Sequence, residues 1–125
     1  MKRSYVLATL LGAAVIWATT LLGLWWFALV VGVVIGLAID DAPGAVGSAG
    51  VAGVLGWALP LLWQAFVLKQ PVWTTATIFA DALGFGIQQA LEFTAATLFA
   101  ALVLCEAGAW VGTALRLLTR PTARA

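Results

Sequence analysis

The chain has 125 residues, of which 64% are hydrophobic and 9% charged, with a net charge of +1 at pH 7. Charged residues make up about 25% of an ordinary soluble domain. A soluble domain this small could not bury so many apolar side chains, because much of its surface stays exposed. The composition therefore excludes a water-soluble globular protein and predicts one integral membrane domain over 1–125. The basic residues stand mainly at the chain ends, which excludes the concentrated basic face that nucleic-acid binding requires.

The inventory of reactive side chains is short. There is no histidine, and Cys105 is the single cysteine, so an intramolecular disulfide, a Cys/His metal site and a histidine-activated nucleophile are all excluded. We therefore predict no cofactor, no metal and no catalytic residue. An intramembrane enzyme would rest on two separated carboxylates, Asp81 and Glu106, and is the least favoured class.

The first apolar run, 5–39, is 35 residues long. A single helix of that length would measure about 52 Å, whereas the hydrocarbon core of a bilayer is about 30 Å thick. We therefore predict a helical hairpin that turns near 19–23, with spans at 5–21 and 24–39. The charged start resembles a signal peptide in pattern, but the apolar run continues without a convincing cleavage site, so we interpret it as a retained span.

The sequence Asp40-Asp41-Ala-Pro-Gly follows. Aspartate and proline at this spacing end one helix and cap the next. The favoured interpretation of Asp40 and Asp41 is a solvated turn with an N-cap, because a cation site would need more oxygen ligands than lie nearby.

The third predicted span, 45–68, is rich in glycine and alanine. Small residues allow helix backbones to approach closely in membranes, so we expect a compact bundle or an oligomer, with a kink at Pro60. The glycines assigned to helix packing are Gly32, Gly36, Gly47, Gly50, Gly53, Gly56, Gly108 and Gly112.

The next segment, 72–91, is the most polar of the apolar-looking segments. If it forms one α-helix, its polar stripe falls within an arc of about 80°. The stripe consists of Thr74, Thr77, Asp81, Gly84, Gln88 and Glu92. We expect this helix to lie at the membrane interface or to re-enter the bilayer, bending near Gly84; an unbroken spanning helix is the alternative, because the stripe continues in phase across that glycine.

The last predicted span is 93–118. The favoured fold is therefore an all-α membrane bundle of four spans, arranged as two hairpins, plus one polar helix. In the alternative fold the polar helix also crosses the membrane, which gives five spans. With four spans, five of the six basic residues lie on one side and Lys69 on the other. The positive-inside rule then predicts a multi-pass protein of the cell membrane with both termini cytoplasmic.

Carboxylates inside apolar sequence are costly in lipid and mark candidate sites. The candidates for ion, proton or partner contact are Asp81, Thr77, Gln88, Glu92 and Glu106. One interpretation makes Asp81 an ion or proton site; the other, which we favour, makes it a residue that hydrogen-bonds to another helix or faces interfacial water and thereby fixes helix packing. For Glu106 we favour a structural or partner-subunit salt bridge.

Two functional classes remain open. The first is a non-catalytic subunit or assembly factor of a membrane complex. The alternative is a small homo-oligomeric ion or proton channel or transporter that uses an intramembrane carboxylate. Beyond the lipid bilayer, the expected partner is accordingly a larger membrane protein or further copies of the chain.

Overall fold

A computed structural model describes residues 2–84, 86 and 89–120. Over these residues the chain is all-helical and contains no strand. The described ranges contain five helices, namely α1 (Lys2–Leu21), α2 (Phe27–Ala38), α3 (Ala42–Phe66), α4 (Val72–Ala82) and α5 (Ala90–Thr119). Three of them, α1, α3 and α5, are long and apolar enough to cross a membrane, and α2 is a shorter apolar helix. The predicted class, a helical membrane protein, is compatible with this result.

Glycine and aspartate set the first helix boundaries. α1 ends at Leu21, and Gly23 reverses the chain with a φ of +78°, a conformation that glycine adopts without steric cost. Before α3, Asp41 has an extended backbone, and its Oδ2 accepts a hydrogen bond of 2.9 Å from the backbone N–H of Gly44. Asp41 is therefore the N-cap of α3.

We expect Asp41→Ala to lower the free energy of unfolding by about 1 kcal/mol, because it leaves an N-terminal amide of α3 without its acceptor. Asp41→Asn should retain most of the stability, since an amide oxygen can also cap. The measurement is unfolding by SDS in mixed micelles. A loss as large for Asp41→Asn as for Asp41→Ala would contradict the capping role.

The polar helix is shorter than the 72–91 expected from its stripe. α4 ends at Ala82 after 11 residues, which corresponds to about 16 Å. Gly84 and Gly86 follow with φ of +84° and +87°, and these left-handed conformations end a right-handed helix. Glu92 therefore belongs to the first turn of α5 and not to the polar helix.

The long helices form a bundle in which α1 and α3 run in one direction and α2 and α5 in the other. A methyl group at Gly44 would touch the Tyr5 ring, and one at Gly56 would touch Ile16 near the far end of α1, so α1 and α3 are parallel. The start of α1, the α2–α3 connection and the end of α5 consequently share one end of the bundle. α4 lies at the opposite end.

The closest contact in the bundle joins α2 and α5. It is built from two small-x-x-x-small pairs, Gly32 with Gly36 and Gly108 with Gly112. A methyl group at Gly32 would overlap the carbonyl of Cys105, and one at Gly108 would overlap the carbonyl of Leu29. Each helix thus presents a glycine to the backbone of the other, which is how small residues allow membrane helices to pack.

Small side chains also dominate the core. Ten buried residues form one cluster, namely Ile16, Ala28, Val31, Ile35, Ile39, Ala45, Ala49, Ala52, Cys105 and Ala109. Most leucines, valines and tryptophans instead lie on the outside of the bundle. So large an apolar exterior would be a liability in water, and it is compatible with a membrane location.

Candidate functional site

The polar stripe predicted across 72–92 is divided by the structure. Thr77 and Asp81 lie on α4, whereas Glu92 lies on α5, beyond the break at Gly84. Gln88 lies outside the described residues. The assignment of these residues to one helix face depended on an unbroken helix, and the structure does not have one.

Asp81 lies on an exposed part of α4. The hydroxyl of Thr77 donates to the carbonyl of Trp73 at 2.9 Å, one turn back on its own helix, and not to Asp81. Glu92 is also exposed. Among the described residues, neither carboxylate has a hydrogen bond or ion pair to its side chain, and both lie on the outside of the bundle.

Glu106 has a different setting, at the contact between α3 and α5. It lies partly buried in the middle of α5, and its Oε1 would stand 2.7 Å from a methyl group built on Gly50. The absence of a side chain at Gly50 therefore makes the room that the carboxylate occupies. Within the described part of the chain, no hydrogen bond or ion pair reaches the Glu106 carboxylate.

The position of Glu106 along the bundle can be estimated from helix rise. It stands ten residues before Arg116 on α5, which is about 15 Å at 1.5 Å per residue. That distance is about half the thickness of a hydrocarbon core. Of the candidate carboxylates, Glu106 is the one placed inside a long apolar helix near its middle.

A further glycine of α3 lies about one helical turn before the glycine that contacts this carboxylate. Gly47 precedes Gly50 by one turn of α3, is exposed, and has no atom within 4 Å of a methyl group built on it. We call Gly47, Gly50 and Glu106 the Glu106 rim, the outer edge of the α3–α5 contact. It combines an unpaired carboxylate with an open strip of backbone.

The other predicted packing glycines are used within the chain. A methyl group at Gly53 would lie 2.6 Å from the carbonyl oxygen of Ala101, and one at Gly56 would lie 2.6 Å from Ile16 Cβ. With the α2–α5 glycines described above, they explain the fold of a single chain. Gly47 is the member of the predicted set that remains available to a neighbour.

Arg116 has a role that sequence reasoning missed. Its side chain is 11% exposed; Nη1 donates to the carbonyl of Ile39, and Nη2 donates to the carbonyl of Asp40 at 2.7 Å. These carbonyls follow the last turn of α2, where a cation also meets the negative end of the helix dipole. The sequence offered no local signal for this contact, because 77 residues separate Arg116 from Ile39.

Asp40 completes this contact from the solvent side. Arg120 Nη2 donates to its Oδ1 at 2.5 Å, and Arg116 Nη1 lies 3.6 Å from the same oxygen. The Asp40 side chain is 84% exposed, so the ion pairs contribute little by themselves. The interpretation of Asp40 as a solvated turn residue therefore omits its pairing with the end of α5.

A cleft of about 870 Å³ lies where α4 meets the adjoining ends of α3 and α5. Its lining includes Thr75, Thr94 and Thr97, but each hydroxyl donates to a carbonyl of its own helix at 2.8–3.0 Å. The cleft thus presents mainly apolar surface. Its lining also includes the side-chain amides of Gln64 and Gln70, which supply neither a nucleophile nor an acid–base group.

In the part of the chain that the structure describes, no three histidine, cysteine or acidic side chains come together as metal ligands would. The chain matches no protein-family model, and no curated protein or solved structure matches it at a significant level.

Proposed function

We propose that this protein is a multi-pass membrane protein that acts as a non-catalytic subunit or assembly factor of a larger membrane complex. The observation that supports it is the unpaired carboxylate of Glu106, placed at the outer edge of the α3–α5 contact near the middle of α5. A carboxylate in lipid is costly unless it finds a partner. A neighbouring protein chain would supply that partner.

The proposed topology has four spans, formed by α1, α2, α3 and α5. α4 measures about 16 Å, which is about half of what a span requires, so it is assigned to the membrane surface. The Asp40–Arg116 end, which carries most of the basic residues, is assigned to the cytoplasm of a cell-membrane protein by the positive-inside rule.

The packing of the described residues offers no conducting path inside one chain, so the alternative, an ion or proton channel or transporter, would require a homo-oligomer. The close α2–α5 contact excludes side chains between the two helices at Gly32 and Gly108, and the buried polar residues among those described are Ser48 and Thr113. A conducting path needs a row of polar groups. The polar stripe predicted over 72–92 would form such a row only on one unbroken helix, and its carboxylates are divided between α4 and α5.

The test is purification of the tagged full-length chain from native membranes in a mild detergent, followed by mass spectrometry and native mass measurement. We expect a stoichiometric complex with at least one larger membrane protein. The matched variants are Glu106→Gln, which keeps the shape but removes the charge, and the control Glu92→Gln at an exposed site.

A particle that contains only this chain would overturn the proposal. If that particle were a homo-oligomer, ion flux in liposomes would then be compared for the wild type and for the Glu106→Gln and Asp81→Asn variants. Flux abolished by either substitution would support the channel or transporter alternative.

A further inference from the structure

The Glu106 rim contains a carboxylate that has no partner of opposite charge among the described residues. The carboxylate lies near the middle of α5, and the described residues offer it no hydrogen bond or ion pair. A charged group at this depth is retained when it pairs with an opposite charge or opens to water. The distribution of charges in the chain indicates which molecule could supply the opposite charge.

A second copy of this chain cannot supply that charge. Five of the six basic residues lie near the chain ends, and Lys69 lies in the connection after α3. Arg116, the nearest cation along α5, is about 15 Å away and is already bound to the Ile39 and Asp40 carbonyls. A copy packed side by side in the same orientation would bring its own carboxylate to this depth, which is repulsive.

The shape of the rim indicates what kind of chain fits beside it. Gly47 has open space where a side chain would project, and it lies three residues before Gly50 on α3, which is about one helical turn. Exposed glycine lets the backbone of a neighbouring transmembrane helix approach closely. A helix in that position could extend a long basic side chain to Glu106.

We infer that the Glu106 rim binds a transmembrane helix of a partner protein that carries a lysine or arginine near the middle of the bilayer. The inference rests on the proposed function and adds the contact face and the chemistry of the partner. Close approach at Gly47 excludes lipid from the pair, and the ion pair forms in a medium of low dielectric constant. Loss of either partner then leaves an uncompensated charge, which is strongly unfavourable.

The first experiment places a photo-crosslinking amino acid at position 47 of the tagged full-length chain in native membranes. The matched control carries it at position 14, an exposed position on α1. We expect position 47 to give one dominant adduct, whose partner peptide belongs to an apolar span with a lysine or arginine. An adduct with a span that lacks a basic residue, or with a second copy of this chain, would overturn the inference.

The second experiment measures recovery of the crosslinked partner with four variants. Gly47→Leu places a side chain in the open strip, where its Cβ has no atom within 4 Å, and Glu106→Gln removes the charge; we expect each to reduce co-purification at least tenfold. The control Ala14→Leu changes an exposed position on another helix and should leave recovery unchanged, and Glu92→Gln, at an exposed carboxylate away from the rim, should retain more of the partner than Glu106→Gln does.

The outcomes separate the two proposals. A wild-type complex whose partner is retained by both Gly47→Leu and Glu106→Gln would overturn the inference while leaving the subunit function intact. A wild-type chain that brings no partner would overturn the subunit function itself. Tryptophan fluorescence of each purified variant in detergent establishes that the bundle is folded, so that a lost partner reports the rim and not misfolding.

Discussion

Gly32→Ala is expected to destabilise the bundle by about 3 kcal/mol or more, the upper part of the range for overpacked sites. The added methyl group would overlap the Cys105 carbonyl, and a backbone carbonyl within a helix cannot rotate away as a side chain can. Gly108→Ala should have a similar effect, because its methyl group would meet the Leu29 carbonyl in the reciprocal position. The two helices would have to separate, and the core around Cys105 would open.

Gly47→Ala is the matched control for this prediction. It makes the same chemical change inside a helix but meets nothing within 4 Å. Alanine has the higher helix propensity, so this variant should be neutral or slightly stabilised. The measurement is SDS unfolding in mixed micelles followed by tryptophan fluorescence. Equal stabilities of Gly32→Ala and Gly47→Ala would show that α2 and α5 do not meet as described.

Arg116→Ala is expected to cost about 2–3 kcal/mol. The side chain is 11% exposed and donates to two carbonyls after the end of α2, and hydrogen bonds that involve a charged group contribute about 1.5–3 kcal/mol. Arg116→Lys should be intermediate, because one ammonium group does not reproduce the planar fork that reaches both carbonyls. The effect should persist in high salt, since a mostly buried contact is screened weakly.

Arg120→Ala provides the comparison. Arg120 is 55% exposed and its partner Asp40 is 84% exposed, so this variant should lose less than about 1 kcal/mol, and the loss should diminish as salt is added. Amide hydrogen exchange at residues 36–39 would locate the effect, with faster exchange in Arg116→Ala than in Arg120→Ala. The opposite order would remove Arg116 as the residue that joins the end of α5 to α2.

Several features could be derived from the sequence. The composition predicts a helical membrane protein, because so many apolar side chains cannot be buried in a small soluble domain. The capping role of Asp41 also follows from local chemistry, since it needs only a carboxylate three residues before a free amide. The isolation of Asp81 and Glu106 in apolar sequence marked both as unusual, but it could not distinguish their surroundings.

The polar stripe shows where sequence periodicity fails. Thr77, Asp81 and Glu92 share a helix face only if the helix continues through Gly84. Glycine is permitted in both right- and left-handed conformations, so the sequence allows both outcomes. The structure places Gly84 and Gly86 at positive φ and thereby divides the stripe.

Composition and residues a few positions apart are enough to predict a helical, apolar chain and the N-cap of α3 at Asp41. The pairing of the glycines, the open space at Gly47 and the binding of Arg116 to the end of α2 appear only in the folded structure. Those contacts join residues far apart in the chain. They form only when the helices pack together, and a local pattern of residues does not predict that packing.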